Sequence, residues 1–244
     1  MRRRWAAWAG VLVALLCGCL PRATVPLRTV SFPAAAARAP GALVVFLPGR
    51  GSEAESFERE GFVAAARDAG ATADLMAVDA HLGYYSRGVL AERLHEDVIA
   101  PARAAGYEAI WLVGISMGGT GALWYDVAYP GDVARVVVLA PYLGEPDLVW
   151  EIAAAGGVRP WNPGPVPEGD HFRRLWTLFK AYESSERTRG RLFLGYGRGD
   201  RFAPADDLLA RLLPPDQVFT AEGDHDWETW RGLWRSILRA GAGP

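Results

Sequence analysis

The chain reads as an α/β protein with a mostly parallel central sheet and helices on both faces, and three observations predict this. Short apolar runs alternate with stretches of helical periodicity from residue 43 to the C terminus. Several of the runs are rich in Val, Ile or Leu without polar alternation, as strands covered on both faces should be. One run, Ala109-Ile110-Trp111-Leu112-Val113, enters a helical stretch through Gly114-Ile115-Ser116-Met117-Gly118. A strand that turns sharply into a helix at Gly-x-Ser-x-Gly lifts its serine above the carboxyl edge of the sheet. Alternation of this kind implies right-handed crossovers, with ligands bound outside the carboxyl ends of the strands.

The N terminus is a targeting segment rather than part of the fold. Arg2-Arg3-Arg4, the apolar run Trp5 to Leu16 and the small residues after it make residues 1–18 a signal peptide. The apolar run is shorter than the roughly twenty residues that span a bilayer. Leu16-Cys17-Gly18-Cys19 resembles the lipobox of bacterial lipoproteins, which implies cleavage before Cys19 and lipidation of its thiol; an ordinary cleaved signal is the competing reading. The chain's 2 cysteines both lie in this segment, so the mature protein is expected to form no internal disulfide. Several acyl chains would hold the protein on a membrane of the cell envelope, periplasmic or at the outer surface. Residues 19–40, rich in Pro, Ala and Arg, read as a tether ending in a first edge segment, with a strand near Thr29-Val30-Ser31-Phe32.

The remaining residues, 41–244, suit one domain. Strands are expected at Leu43 to Leu47, Asp74 to Val78, Ile110 to Ile115, Val136 to Ala140, Leu192 to Tyr196 and Val218 to Ala221. Helices are expected at Glu53 to Ala69, Gly88 to Ala105, Met117 to Tyr129, Ala205 to Leu213 and Trp227 to Ala240. Leu90, Leu94 and Val98 recur at helical spacing, Trp227, Trp230 and Trp234 form a core face, and Asp226 can cap the last helix. The segment from Tyr142 to Arg189 departs from the alternation and collects Trp150, Trp161, Trp176, Phe172 and Phe179.

Net charge is −2, and no basic run survives removal of the signal, so no nucleic-acid partner is expected. None of the 4 histidines has metal-ligand spacing, and neither a metal nor a cofactor is expected. A serine hydroxyl needs a base to take its proton and a third group to orient that base. The chain supplies Asp200 just past the strand Leu192 to Tyr196, then His225 in the loop before the last helix. His225 is the only histidine beyond Asp200. Asp206 and Asp207 are the rivals of Asp200, read as lying on the exposed first turn of a helix. His81 also follows a strand, as either a substrate contact or a solvated loop residue.

Serine, acid and histidine in that order, each after a strand, resemble the α/β-hydrolase superfamily of serine esterases and lipases, from about Leu43 to the C terminus. The resemblance implies an α/β-hydrolase fold with Ser116 as nucleophile, His225 as general base and then acid, and Asp200 as the orienting carboxylate. It implies an oxyanion hole built from the backbone amides of Met117 and of the loop Pro48-Gly49-Arg50-Gly51, where Arg50 is the expected donor. Many relatives carry His-Gly where this chain has Pro-Gly, which leaves that donor open. The superfamily commonly inserts a cap where residues 142–189 fall; Trp150, Trp161 and Trp176 would then contact substrate, the rival being aromatics packed on the body. The expected activity is hydrolysis of small-molecule carboxylic esters. An acyltransferase with the same three residues, or a non-catalytic binding lipoprotein on a hydrolase scaffold, are the alternatives.

Overall fold

Backbone groups of the apolar runs must pair with one another, and they do so in a single seven-stranded sheet. The computed structural model describes residues 21–34, 41–180 and 190–242. The expected signal peptide, Cys19, part of the tether and residues 181–189 of the expected cap lie outside the described residues. The strands are β1 Thr29–Phe32, β2 Ala42–Leu47, β3 Asp74–Val78, β4 Ala109–Ile115, β5 Arg135–Leu139, β6 Leu192–Gly197 and β7 Val218–Ala221. They lie in the order β1-β3-β2-β4-β5-β6-β7. Only β1 is antiparallel, paired with β3 through Thr29↔Val78. Each strand is within two residues of its expected ends.

Register decides where the site can form. Leu47 of β2 pairs with Gly114 of β4, Gly114 with Val138 of β5, Val138 with Leu194 of β6, and Leu194 with Val218 of β7. The loops that follow β2, β4, β5, β6 and β7 therefore leave the sheet along one edge.

The helices are α1 Ser56–Arg59, α2 Phe62–Asp68, α3 Leu82–Ser86, α4 Leu90–Leu94, α5 Ala100–Ala104, α6 Met117–Ala128, α7 Pro146–Ala154, α8 His171–Phe179, α9 Ala203–Ala210 and α10 Trp227–Ile237. Two expected helices are interrupted. Glu53 to Ala69 breaks at Gly61, whose φ of 80° is left-handed and ends α1 before α2 begins. Gly88 to Ala105 runs as α4, a π turn at His95–Ile99 and α5. Pro101 has no N–H to return to the preceding turn, and the helix widens just before it. Two further helices, α7 and α8, occupy the segment that departs from strand–helix alternation. Pro146 opens α7, and the Asp170 side chain caps α8 by accepting from the Arg173 amide at 2.9 Å.

One face of the sheet is packed with rings. Phe46 of β2 stacks on Phe57 at 4.8 Å and meets the edges of Phe62 and Trp234. Trp234 and Trp230 are buried as the spacing predicts, whereas Trp227 is half-buried at the rim of that cluster. The Asp226 carboxylate accepts from the Thr229 amide at 2.9 Å, fixing where α10 starts. This anchors the loop just ahead of it, which carries His225.

Candidate active site

The turn between β4 and α6 is built from residues that tolerate what others cannot. Ser116 adopts φ 52° and ψ −117°. A non-glycine residue there costs about 1–3 kcal/mol and persists only where its surroundings over-determine it. Here they do: the Ser116 amide donates to Leu139 O at 2.8 Å, while Ser116 O accepts from the amides of Thr120 and Tyr142, each at 3.2 Å. The flanking glycines allow this closeness. A Cβ at Gly114 would stand 2.2 Å from Gly118 O, and one at Gly118 would stand 2.1 Å from Leu47 O. The helix thus presses against the end of β2.

The loops after β6 and β7 meet over the serine. His225 Nε2 lies 2.9 Å from Ser116 Oγ, and His225 Nδ1 lies 2.7 Å from Asp200 Oδ2. Asp200 Oδ1 accepts from the Phe202 amide at 2.8 Å, so both carboxylate oxygens are engaged. The Asp200 side chain is 0% exposed and that of His225 10%. A carboxylate against Nδ1 favours the tautomer protonated there, which leaves Nε2 free to accept from the serine hydroxyl. Close backbone approach again holds the pieces together, since a Cβ at Gly197 would stand 2.4 Å from Gly223 O. The imidazole is walled by the edge-on rings of Phe202 and Trp230, each 4.8 Å away. Neither ring was among the residues expected at the site. Phe202, two places after Asp200, could have been noticed, but Trp230 reads as ordinary core.

The amides of Met117 and Arg50 are the expected oxyanion donors. Met117 is the first residue of α6, so its N–H has no intrahelical acceptor and faces the helix's positive end outward. Arg50 lies in the turn closed by Ser52 N–H to Gly49 O at 3.1 Å, and Gly51 takes φ 80° there. That turn runs against the nucleophile position, because a Cβ at Gly49 would come within 3.4 Å of Ser116 Cβ.

Other expectations are corrected. His81 accepts from the Gly83 amide at 3.1 Å and caps α3, its ring set against Tyr84, so its local bonding is a capping role. Trp161 and Trp176 are buried; their indoles donate to Glu151 and to Leu143 O, both at 2.8 Å, as packing residues do. Trp150 differs, being 67% exposed. It borders a cavity of about 470 Å³ whose walls include Tyr142, Val149 and Phe202, the ring that touches His225. Asp206 is not exposed but fully buried, and neither carboxyl oxygen has a hydrogen-bond partner among the described residues. Asp207 is the exposed one and accepts from Tyr196 OH at 2.5 Å. Burial, with the charges of Asp200 and Asp207 adding to it, pushes the Asp206 carboxyl well above the usual carboxylate range. Among the described residues no cluster of three or more His, Cys, Asp or Glu could hold a metal ion.

A parallel sheet with a serine on a strained strand–helix turn, next to a histidine and a buried aspartate, defines an α/β-hydrolase. The chain matches the family model "Esterase: Putative esterase" over residues 10–240 and belongs to that family. It is a carboxylic-ester hydrolase of α/β-hydrolase fold, acting on small-molecule esters. No curated protein sequence matches it significantly. Among solved structures it is similar to S-formylglutathione hydrolase from Staphylococcus aureus, with TM-score 0.57, 15% identity and coverage of 92% of this chain and 100% of that one. A Paleococcus ferrophilus monoacylglycerol lipase matches at TM-score 0.55 and 16% identity, over 88% and 99% of the two chains. A fluorophosphonate-binding serine hydrolase of Staphylococcus aureus matches at 0.56 and 15%, over 90% and 100%.

The buried acid gives a pH prediction. A carboxyl whose folded pKa is raised contributes stability below its unfolded pKa and loses it as pH climbs toward the folded value, because the unfolded chain releases the proton first. Asp206→Asn removes that loss. The variant's Tm relative to the parent is expected to move in the variant's favour from pH 4 to pH 8, as thermal unfolding across that range would show. A constant difference would mean that Asp206 is ionised in the fold.

Proposed function

We propose that ester cleavage runs through an acyl-enzyme on Ser116. The reading is carried by one observation, the continuous chain Ser116 Oγ, His225 Nε2, His225 Nδ1, Asp200 Oδ2 with spacings of 2.9 and 2.7 Å. In this mechanism Ser116 Oγ attacks the ester carbonyl carbon while its proton passes to His225 Nε2. Asp200, held by the Phe202 amide, orients the ring and stabilises the imidazolium. The carbonyl oxygen gains the electron pair and is met by the amides of Met117 and Arg50, the second supported by the contact of the Gly49 turn with Ser116. Collapse of the tetrahedral adduct breaks the ester C–O bond, and His225 returns the proton to the departing alkoxide. Water then enters and its oxygen bonds to the acyl carbon as His225 Nε2 takes its proton; collapse of this second adduct breaks the bond to Ser116 Oγ, frees the acid, and His225 returns the proton to Ser116 Oγ.

The cavity edged by Trp150 suits the apolar part of the ester, because Phe202 joins its wall to the catalytic ring. Export and lipidation at Cys19 are part of the same proposal, supported by Leu16-Cys17-Gly18-Cys19. The enzyme would then act from the surface of a cell-envelope membrane.

Four measurements test this. Ser116→Ala is expected to abolish nitrophenyl-ester turnover and fluorophosphonate labelling, and retained turnover in the folded variant would refute the acyl-enzyme. Asp200→Asn should lower kcat by about 10⁴-fold and Asp206→Asn by far less. Trp150→Ala should depress kcat/KM for long acyl chains by about tenfold while sparing acetate esters, since only long chains reach the lost surface. Expressed in bacteria, the full chain should incorporate labelled fatty acid, and Cys19→Ser should end this without changing the activity of the folded domain.

A further inference from the structure

The chain enters the fold at the same edge of the sheet that carries the catalytic serine. β1 runs antiparallel to β3, with Thr29 opposite Val78, so the residues ahead of β1 lie at the carboxyl end of β3. They are not slack there. Pro21 O packs so closely on α3 that a Cβ at Gly83 would stand 1.9 Å from it. The Thr24 amide donates to the Tyr84 hydroxyl at 3.1 Å, and that hydroxyl donates to Thr24 O at 3.0 Å. The Leu27 amide donates to Asp97 Oδ2 at 2.8 Å. Cys19 stands two residues ahead of Pro21, a reach of no more than about 7 Å. A lipid on its thiol is therefore tied close to α3. This helix in turn lies on the nucleophile helix, since a Cβ at Gly121 of α6 would come within 2.6 Å of the Tyr85 hydroxyl. Gly121 is five residues past Ser116, about 7.5 Å along α6 at 1.5 Å per residue.

The exposed apolar side chains gather at the same edge. Among the described residues the large ones are Val25 at 70%, Trp150 at 67% and Leu178 at 37%. Scattered singly, such residues are ordinary. Here Val25 belongs to the segment that enters β1, and Leu178 of α8 lines one cavity with Tyr84 and Tyr85 of α3. Trp150 of α7 borders the cavity whose walls include Tyr142 and Phe202, residues that follow the carboxyl ends of β5 and β6. The order β3-β2-β4-β5 sets the serine strand between the two ends of this arrangement, the entering chain beyond β3 and Trp150 beyond β5. At about 4.8 Å between neighbouring strands, β3 and β5 are about 14 Å apart. An exposed tryptophan of this kind is at home in the headgroup layer of a bilayer.

We propose that this edge rests on the bilayer that holds the lipidated Cys19, and that the ester cleaved is the acyl ester of a lipid resident in that same bilayer. The proposal rests on the acyl-enzyme and lipidation reading given above. A short, fixed attachment keeps the serine edge toward the membrane and replaces a search through solution with a local one. The ester C–O bond breaks by the route already described, leaving the fatty acid and the alcohol part of the lipid.

The full chain, made in bacteria and reconstituted in phosphatidylcholine vesicles, gives the test. With brominated acyl chains in the lipid, tryptophan emission is expected to be quenched, and Trp150→Phe to weaken that quenching. Turnover of 4-methylumbelliferyl oleate carried in the protein's own vesicles should exceed by about tenfold that of the same ester offered in separate vesicles. Val25→Glu combined with Leu178→Glu, at exposed positions outside the catalytic machinery, should cut own-vesicle turnover by about tenfold and leave turnover of 4-methylumbelliferyl acetate in water unchanged. Should the cell not lipidate Cys19, the chain carrying Cys17→Ser has one thiol, and coupling it to a maleimide lipid supplies the same attachment for the same measurements. Quenching needs no turnover, so a wrong orientation and a wrong reading of Ser116 give different results. Equal quenching in Trp150→Phe, equal turnover from own and separate vesicles, or full own-vesicle turnover in the double variant would overturn the proposal.

Discussion

Backbone-to-backbone contact at the end of β4 is the constraint on which the rest depends. Gly114 lies against Gly118, and Gly118 lies against Leu47 and Pro48, all closer than any side chain permits. The same packing sets the strained φ of Ser116, brings the turn at Gly49 to it, and places Met117 first in α6. The nucleophile position, the expected oxyanion donors and the end of the neighbouring strand are thus one mechanical unit. Its cost is carried by the hydrophobic sheet beneath, where Val113, Ile115, Val138 and Leu139 are buried almost completely.

A second unit is assembled from loops far apart in sequence. Asp200 and His225 meet because β6 and β7 are neighbours in register and because Gly197 and Gly199 admit the Gly223 backbone and, at Gly199, the Asp224 carboxylate. Phe202 and Trp230 then confine the imidazole from two sides. The two units touch at one hydrogen bond, between Ser116 Oγ and His225 Nε2. Small shifts of either loop would alter that bond before they altered the fold.

What the sequence made legible follows from what is local in it. Strands buried on both faces, such as β2, β4, β5 and β6, are continuous apolar runs and could be located, and serine and acid each follow one, whereas histidine follows the partly exposed β7. The breaks at Gly61 and Pro101 were visible as residues, but whether a glycine adopts positive φ depends on its neighbours in space. The aromatics of residues 142–180 carried no such information: Trp150, Trp161 and Trp176 are chemically identical, and only tertiary packing exposes the first and buries the others. Asp206 was misread although a clue existed. It is spaced three residues before Leu209 and one after Ala205, both buried, and so falls on the inward stripe of α9. A charged residue on such a stripe is counted outward by habit, whereas burial of this one favours its neutral form.

The unequal burial of His225 and Asp200 has a consequence for hydrogen exchange. Side-chain exposure declines from His225 at 10% to Asp200 at 0%, and the Nδ1–Oδ2 bond lies behind the rings of Phe202 and Trp230. The Nε2 side of the imidazole faces Ser116 instead. The Nδ1 proton is therefore a resident of the protein interior, exchanging with bulk solvent only when the loop after β7 opens. Its lifetime is a clock for that loop, separate from the rate at which the outer proton is passed back and forth.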